Sequence, residues 1–295
     1  MLPFFVIFAG ITLKTIYSIM TTDNKDNIEE LLEREEAFHD EWAMSENIDD
    51  IDVVALFESF VADENKYIMS QLGDIRGKKI LDVGAGLGES SVYFAMKGAE
   101  VYYNDVSPKM GEFAEKVAAK YNVKLNLLIA PIEKLEIHEN FFDIIYCANL
   151  MHHVPPEDHD YWIKTMHGAL KDKGVLITWD PLKYNPVINV YRRMAMDVRT
   201  IDEMPLGFDI LKLYRKYFPK VEHREFWLAT LWIFIHYYLI RRYKPNEVRY
   251  WKRIFKEKRS QIGWWFVPLQ KLDKLLLRIP GLQKLAWNMI VVARK

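Results

Sequence analysis

The sequence predicts an α/β fold: a doubly wound, mostly parallel sheet of seven strands, with an N-terminal helical cap and a helical insertion between the last two strands. Three observations carry this reading. Short apolar runs alternate with helical segments between Gly77 and Asp180, the pattern of parallel strands covered on both faces. A tight glycine turn at Gly84 to Gly88 joins the first strand of that series to its first helix. After Asp180 the alternation stops, and about 55 residues of aromatic, basic, helical sequence separate two further strands that ordinarily need only a short connection.

Taken in order, Leu2 to Met20 is almost wholly apolar, broken by Lys14. A span of this length sits at the lower limit for crossing a bilayer, which takes about 20 residues. It lacks the basic start and small-residue cleavage site of a secretion signal. Residues 1–20 therefore read either as a short membrane anchor or as an extension ahead of a start at Met20. Residues 21–76 form the cap, with one helix over 28–44 and apolar spacing that predicts a second over 53–72. The core runs over 77–228 and returns for 286–295. Strands are expected at 78–83, 100–104, 125–129, 142–148, 174–179, 221–228 and 287–293, with helices after the glycine turn and at 108–121, 159–170 and 208–217. Residues 181–205 are irregular and form a lid, and 229–285 are the insertion.

Half of the 295 residues are apolar and 27% are charged, enough to bury a core and unlike disordered or collagen-like chains. The single cysteine, Cys147, makes no internal disulfide, and no zinc-type Cys/His spacing occurs. No metal site is expected on that ground, and a reducing compartment, the cytoplasm, is the expected location. The net charge of −1 argues against a nucleic-acid partner but conceals an uneven distribution. From Lys220 to Lys295, 17 Lys or Arg face five acids, a net +12, while the remaining 219 residues carry −13. The basic quarter also holds six of the nine tryptophans. One end of the molecule is thus expected to meet an anionic partner.

The most informative stretch is Leu81-Asp82-Val83-Gly84-Ala85-Gly86-Leu87-Gly88. Glycines at alternate positions let the backbone turn sharply and approach a ligand where a side chain would collide. Asp105 stands at the end of the next strand, where a doubly wound sheet puts a carboxylate beside the glycine loop to accept from a ribose diol. The spacing is G-x-G-x-G, not the G-x-G-x-x-G that seats a pyrophosphate on a helix N-terminus. Asp82 and Glu89 flank the loop and would repel a pyrophosphate. They suit a ligand with a cationic amino-acid tail, such as S-adenosylmethionine.

On these residues the chain resembles the class I S-adenosylmethionine-dependent methyltransferases, most of all the group that includes the quinone-biosynthesis C-methyltransferases. The likeness covers Gly77 to Asp180, and more faintly Val221 to Leu228 and Asn288 to Lys295. It implies a Rossmann-like sheet whose last strand is antiparallel. It also implies that Asp82, Gly84, Ala85, Gly86 and Gly88 surround the methionine moiety of the cofactor and that Asp105, followed by Val106, binds the ribose. Ala130-Pro-Ile-Glu-Lys-Leu135 matches the segment bordering adenine, except that Pro131 stands where the family often has an aspartate. Adenine would then rely on Ile132 and Glu133. Asn149 is expected beneath the methionine end.

Methyl transfer is an in-line displacement, so the protein supplies alignment, desolvation and sometimes a base. His152 and His153 follow the fourth strand and Asp180 the fifth, at the strand ends where open α/β sheets bind ligands. Either histidine is a candidate base or a loop-filling residue, and Asp180 a base or a fold-stabilising acceptor. Tyr191, Arg192, Arg193 and Arg199 on the lid could hold an anionic substrate group, or the arginines could pair with Asp202 and Glu203. His39 and Trp42 are covers for the cofactor or docking residues of an amphipathic helix. The Asn-Pro-Pro-Tyr loop of base-methylating enzymes is absent, the position reading Asn149-Leu150-Met151-His152, so nucleic acid is a poor substrate. Phe226 to Ile240 is apolar, and the downstream mixture of tryptophan with lysine and arginine has the composition of a membrane interface. A helical subdomain with a solvated basic face would show the same composition. The function expected is methylation of a small, lipophilic acceptor, with the basic flank peripheral to a membrane. The alternatives are a soluble natural-product O-methyltransferase and a non-catalytic cofactor-binding scaffold.

Overall fold

The computed structural model describes residues 33–135, 138–194, 203–244 and 253–295. The apolar segment 1–20, Arg199 and Asp202 lie outside them. No helix among the described residues is long and apolar enough to cross a membrane.

Seven strands form one sheet in the order β3-β2-β1-β4-β5-β7-β6. They are β1 (Lys79–Val83), β2 (Glu100–Asp105), β3 (Asn126–Ile129), β4 (Phe142–Ala148), β5 (Leu170–Pro181), β6 (Lys220–Phe226) and β7 (Asn288–Arg294). The first five pair in parallel, and β7 runs antiparallel to both β5 and β6. Strand β6 therefore points the same way as β5, and the chain leaves it for the insertion at the carboxyl edge of the sheet. This agrees with the predicted doubly wound fold with its last strand antiparallel.

The sheet is buried on both faces because its strands carry apolar side chains at successive positions. Along β7, Ile290 and Val292 join one core while Met289, Val291 and Ala293 join the other. The second core is covered by α6 (His159–Ala169) and α8 (Ile210–Tyr217), through Ile163, Met166, Leu211 and Tyr214. The first holds α4 (Glu89–Met96) and α5 (Pro108–Lys120), with Val92, Phe94, Phe113 and Val117.

The cap and the insertion pack into that same first core. The cap contributes a helix over 33–45, here α1, followed by α2 (Val53–Glu58) and α3 (Asp63–Leu72). The insertion contributes the 3-10 turn Ala229–Leu231, a single turn α9 (Trp232–Phe234), the π turn Ile235–Ile240 and the long α10 (Arg259–Leu276). Phe57, Val61 and Ile68 of the cap meet a cluster that includes Trp227, Phe234, Tyr237 and Phe266. Gln270 of α10 donates to the Phe60 carbonyl at 2.9 Å, and the Trp227 indole N–H to the buried Glu64.

Four stretches differ from expectation. Strand β5 begins at Leu170 rather than 174, because Leu170 pairs with Phe142 across a register shift. Within the segment expected to be irregular, Pro186–Met194 is helical, its first turn capped by Asn185 Oδ1, which accepts from Val187 N and Ile188 N. The single helix expected over 53–72 is broken, because Ser59 is extended (φ −61°, ψ 161°). The break lets Phe57, Val61 and Ile68 all reach the core, and Asn65 Nδ2 satisfies the Leu56 carbonyl at 2.9 Å. Strand β6 ends at Phe226 rather than 228, because Trp227 takes φ +65°. The next three backbone amides then converge on the Asp273 carboxylate of α10.

Candidate functional site

The glycine loop closes against β2 and α5. Gly84, Gly86 and Gly88 have φ of +63°, +52° and +80°, where L side chains are strained. A Cβ on Gly88 would lie 2.6 Å from the Ala114 Cβ, whereas one on Gly86 would meet nothing within 4 Å. The first glycine contact sets how closely α5 packs, and the second leaves room beside the loop. Gly86 N donates to Asp105 Oδ2 at 2.9 Å, and Ser107 N to Asp105 Oδ1 at 2.9 Å. Burial pushes the Asp105 carboxyl up, opposed by these amides. Ser107 caps α5 by accepting from Met110 N, with Pro108 at the first helical position.

A cavity of about 130 Å³ lies at this edge, lined by Gly84, Asp105, Val106, Ile132, Asn149 and His153 among others, with Glu35 and His39 from α1. Five of the residues expected at a cofactor therefore share one cleft. Ala85, Gly86 and Gly88 build the loop behind Gly84. Glu133 falls in the 3-10 turn Ile132–Lys134. Asp82 does not line the cleft: it accepts from Ser91 Oγ of α4 at 2.6 Å, and burial pushes its carboxyl up to about 7. Asn149 holds φ +54° and donates its backbone N–H to the Trp179 carbonyl at 2.6 Å, a conformation asparagine tolerates better than most residues. Leu150 lies across Gly84, so a ligand at the loop displaces a flexible side chain rather than backbone.

The parallel pairing of β4 with β5 brings the loop at 149–154 beside Asp180. His152 Nδ1 lies 2.9 Å from Asp180 Oδ1, and the His152 backbone N–H donates to the same oxygen at 3.2 Å. Both residues are buried, and burial pushes the Asp180 carboxyl up to about 7. The His153 ring centre is 4.3 Å from that of His152, and its Nδ1 is 3.5 Å from Glu35 Oε1. The other Glu35 oxygen is 3.4 Å from His39 Nε2. Burial alone would raise the Glu35 carboxyl, but hydrogen bonds and charge from His153 and His39 hold it well below the usual carboxylate range. Helix α1 is thus clamped over the cleft by Glu35, and again by Asp40, which accepts from Ser107 Oγ and Lys109 N.

The sequence reading passed over Glu35, although Glu35 and His39 sit four apart on one helical face, the spacing at which side chains meet. It also passed over Pro155, Asp158 and Trp162, which line the cleft beyond His153. Trp42 donates to Glu46, just past the end of its own helix, at 2.7 Å. Tyr191, on α7 (Pro186–Met194), packs against Phe234 and Tyr238 of the insertion and does not line the cleft. Arg192 donates to Asn189 Oδ1 at 2.8 Å, and Arg193 is exposed. Glu203 comes back to the sheet beside the two histidines, where Met204 N donates to the His152 carbonyl at 2.7 Å. A second cavity of about 300 Å³ shares no lining residue with the first; Glu64, Glu225, Trp227, Gln270, Asp273 and Arg278 are among its walls.

Residues 80–174 match a methyltransferase-domain family. The chain is 36% identical over 111 residues to a ubiquinone biosynthesis O-methyltransferase of Coxiella burnetii, covering 38% of this chain and 46% of that protein. It spans about half the length of the curated relatives it matches. Those named relatives are O-methyltransferases, where the motifs pointed to the C-methylating group of the same biosynthesis. Phosphoethanolamine N-methyltransferase 2 of Haemonchus contortus in complex with S-adenosyl-L-methionine shares the fold at a TM-score of 0.52 and 18% identity, over 82% of this chain and 55% of that one. A SAM-dependent methyltransferase from Archaeoglobus fulgidus does so at 0.50 and 16%, over 82% and 97%.

Proposed function

We propose that the chain is a class I S-adenosylmethionine-dependent methyltransferase and that it methylates a small, lipophilic acceptor at an anionic membrane surface. The observation that carries the reading is one cleft holding Asp105 and Gly84 on one side and His153, backed by the His152–Asp180 pair, on the other. The residues fit the cofactor. Gly86 leaves open space beside the loop, and the Asp105 carboxylate lines the cleft as an acceptor for ribose hydroxyls.

When bound, the cofactor supplies an electrophilic methyl group on a cationic sulfur. Asp105 holds the ribose, Pro131 and Ile132 pack against adenine, and Asn149 supports the methionine end. Helix α1, held down through Glu35 and Asp40, excludes water from the cleft. His153 faces the acceptor and takes its proton, while Glu35 orients that imidazole and the His152–Asp180 pair packs behind it.

Support for a membrane-borne acceptor comes from the surface of the insertion. Trp264 is 78% exposed and Leu239 71%, and Ile240 and Leu275 are exposed as well. Val187, Val190 and Met194 add exposed apolar area on α7. Lys271, Lys274 and Arg278 are exposed on or just beyond α10, the mixture that lies at anionic bilayer surfaces. A labelled-methyl assay against fractionated lipids and metabolites tests the transferase, with sedimentation on phosphatidylserine vesicles at low salt beside it. Label in an apolar fraction and co-sedimentation are expected. Label confined to water-soluble products, with no co-sedimentation, would replace the membrane reading with that of a soluble enzyme.

A further inference from the structure

Two histidines and a glutamate meet on the acceptor side of the cleft in an arrangement that binding the methyl donor does not require. His152 and His153 follow β4, and Glu203 arrives some fifty residues later, near the end of the segment 181–205. One ligand atom from each lies within 4.8 Å of the other two. We propose that His152, His153 and Glu203 form a binding site for a divalent transition-metal ion of the zinc class.

Two imidazoles and one carboxylate suit borderline cations such as Zn²⁺ and leave at least one coordination position for an oxygen ligand. A carboxylate stands behind each imidazole. His152 Nδ1 lies 2.9 Å from Asp180 Oδ1, and His153 Nδ1 lies 3.5 Å from Glu35 Oε1. A carboxylate at Nδ1 keeps the proton there and makes Nε2 the ligating nitrogen, the usual support of a metal-bound histidine. Both histidines have this support from different parts of the chain, one from the end of β5 and one from α1.

The three positions are also tethered to one another. The His152 backbone N–H is held by Asp180, and Met204 N donates to the His152 carbonyl at 2.7 Å. Leu206 N donates to the Pro181 carbonyl at 2.9 Å, so the strand end and the returning segment are fixed together. Ligand atoms around a tetrahedral zinc at ~2.1 Å lie about 3.4 Å apart. The bound of 4.8 Å is wider than this, so ligation would draw the three side chains inward. Glu35, Asp180 and Glu203 also gather three carboxyl groups here, which a dication offsets.

The site itself stands on this geometry; its role beside an acceptor rests on the transferase reading. His153 also lines the cleft, so the remaining coordination position takes water or an acceptor hydroxyl. A metal-bound hydroxyl would lose its proton to solvent more readily; the oxygen anion would then form the new O–CH3 bond as the S–CH3 bond breaks, with neutral S-adenosylhomocysteine as the leaving group. The ion then takes over the acidifying task otherwise left to His153.

The test uses the full chain without a histidine tag, stripped with a chelator, exposed to Zn²⁺ and desalted. Elemental analysis should find about one zinc per chain. Co²⁺ in its place should give the visible absorption of a low-coordinate nitrogen–oxygen site, a reading that needs no variant. Glu203→Gln should lower zinc affinity at least ~10-fold, and Asp180→Asn roughly 10- to 100-fold, with melting profiles showing that both remain folded. Retention below about 0.1 zinc per chain would overturn the proposal, as would equal retention by wild type and Glu203→Gln. S-adenosylmethionine binding, titrated separately, keeps the two readings apart. Zinc held without cofactor binding sinks the transferase reading alone, and cofactor bound without zinc sinks the metal site alone.

Discussion

The two sides of the cleft are built from different materials. On the β1–β2 side, one continuous stretch of chain does the work largely with backbone. Gly84 and Gly86 hold left-handed conformations, and Asp105 is fixed by the Gly86 and Ser107 amides. On the β4–β5 side the polar groups are side chains from four separate stretches: His152 pairs with Asp180, His153 with Glu35, and Glu203 lies within 4.8 Å of both histidines. A site of the first kind is fixed as soon as its strand, turn and helix form. The second kind exists only once the cap, the sheet and the segment that carries Glu203 have all docked.

If that division is right, the halves fail separately. The largest effect is expected at His153: His153→Asn should slow methyl transfer by about 1,000-fold while leaving S-adenosylmethionine affinity within roughly threefold. Equal losses in both would mean that the halves are not separable. On the donor side, Asp105→Ala should weaken S-adenosylmethionine about 100-fold in calorimetric titration, through the loss of charge-assisted hydrogen bonds. Unchanged affinity would take the ribose off this carboxylate.

The loop's dependence on backbone shape predicts a stability effect as well. Gly88→Ala puts a methyl group 2.6 Å from the Ala114 Cβ at φ +80° and should destabilise the fold by roughly 2–3 kcal/mol in denaturant melts. The smallest effect lies away from both halves, at Glu64. Burial pushes its carboxyl up to about 8 from an ordinary 4.5, so the folded state keeps a proton that the unfolded chain releases. The stability it contributes is complete below pH 4.5 and is lost as the pH rises through about 8. Glu64→Gln should remove that pH-dependent loss. Melting temperatures from pH 5 to 8 that fall in parallel for both proteins would refute it.

The same contrast explains what could be read ahead of the structure. Strands β1 to β5, the glycine loop and Asp105 were legible because local apolar runs, turn residues and spacing specify them. The clamp from Glu35 to His153 was not, since it depends on where α1 lies over the sheet. Nor was the return of Glu203 to the two histidines: metal-ligand spacing was sought within short cysteine and histidine motifs, and this set closes only through space. Asp82 was placed around the methionine moiety by its position before the loop, yet its carboxyl is turned to Ser91. The break at Ser59 and the early end of β6 at Trp227 follow from packing between the cap and α10, which no local pattern records.

Which of the two cavities receives the cofactor is the most direct test of the account. Amide hydrogen exchange with and without saturating S-adenosylmethionine answers it on the intact chain. Protection is predicted over 83–88, 104–107, 131–132 and 149–150 and along helix 33–45. Protection confined to 223–230 and 270–278, around the larger cavity, would contradict it.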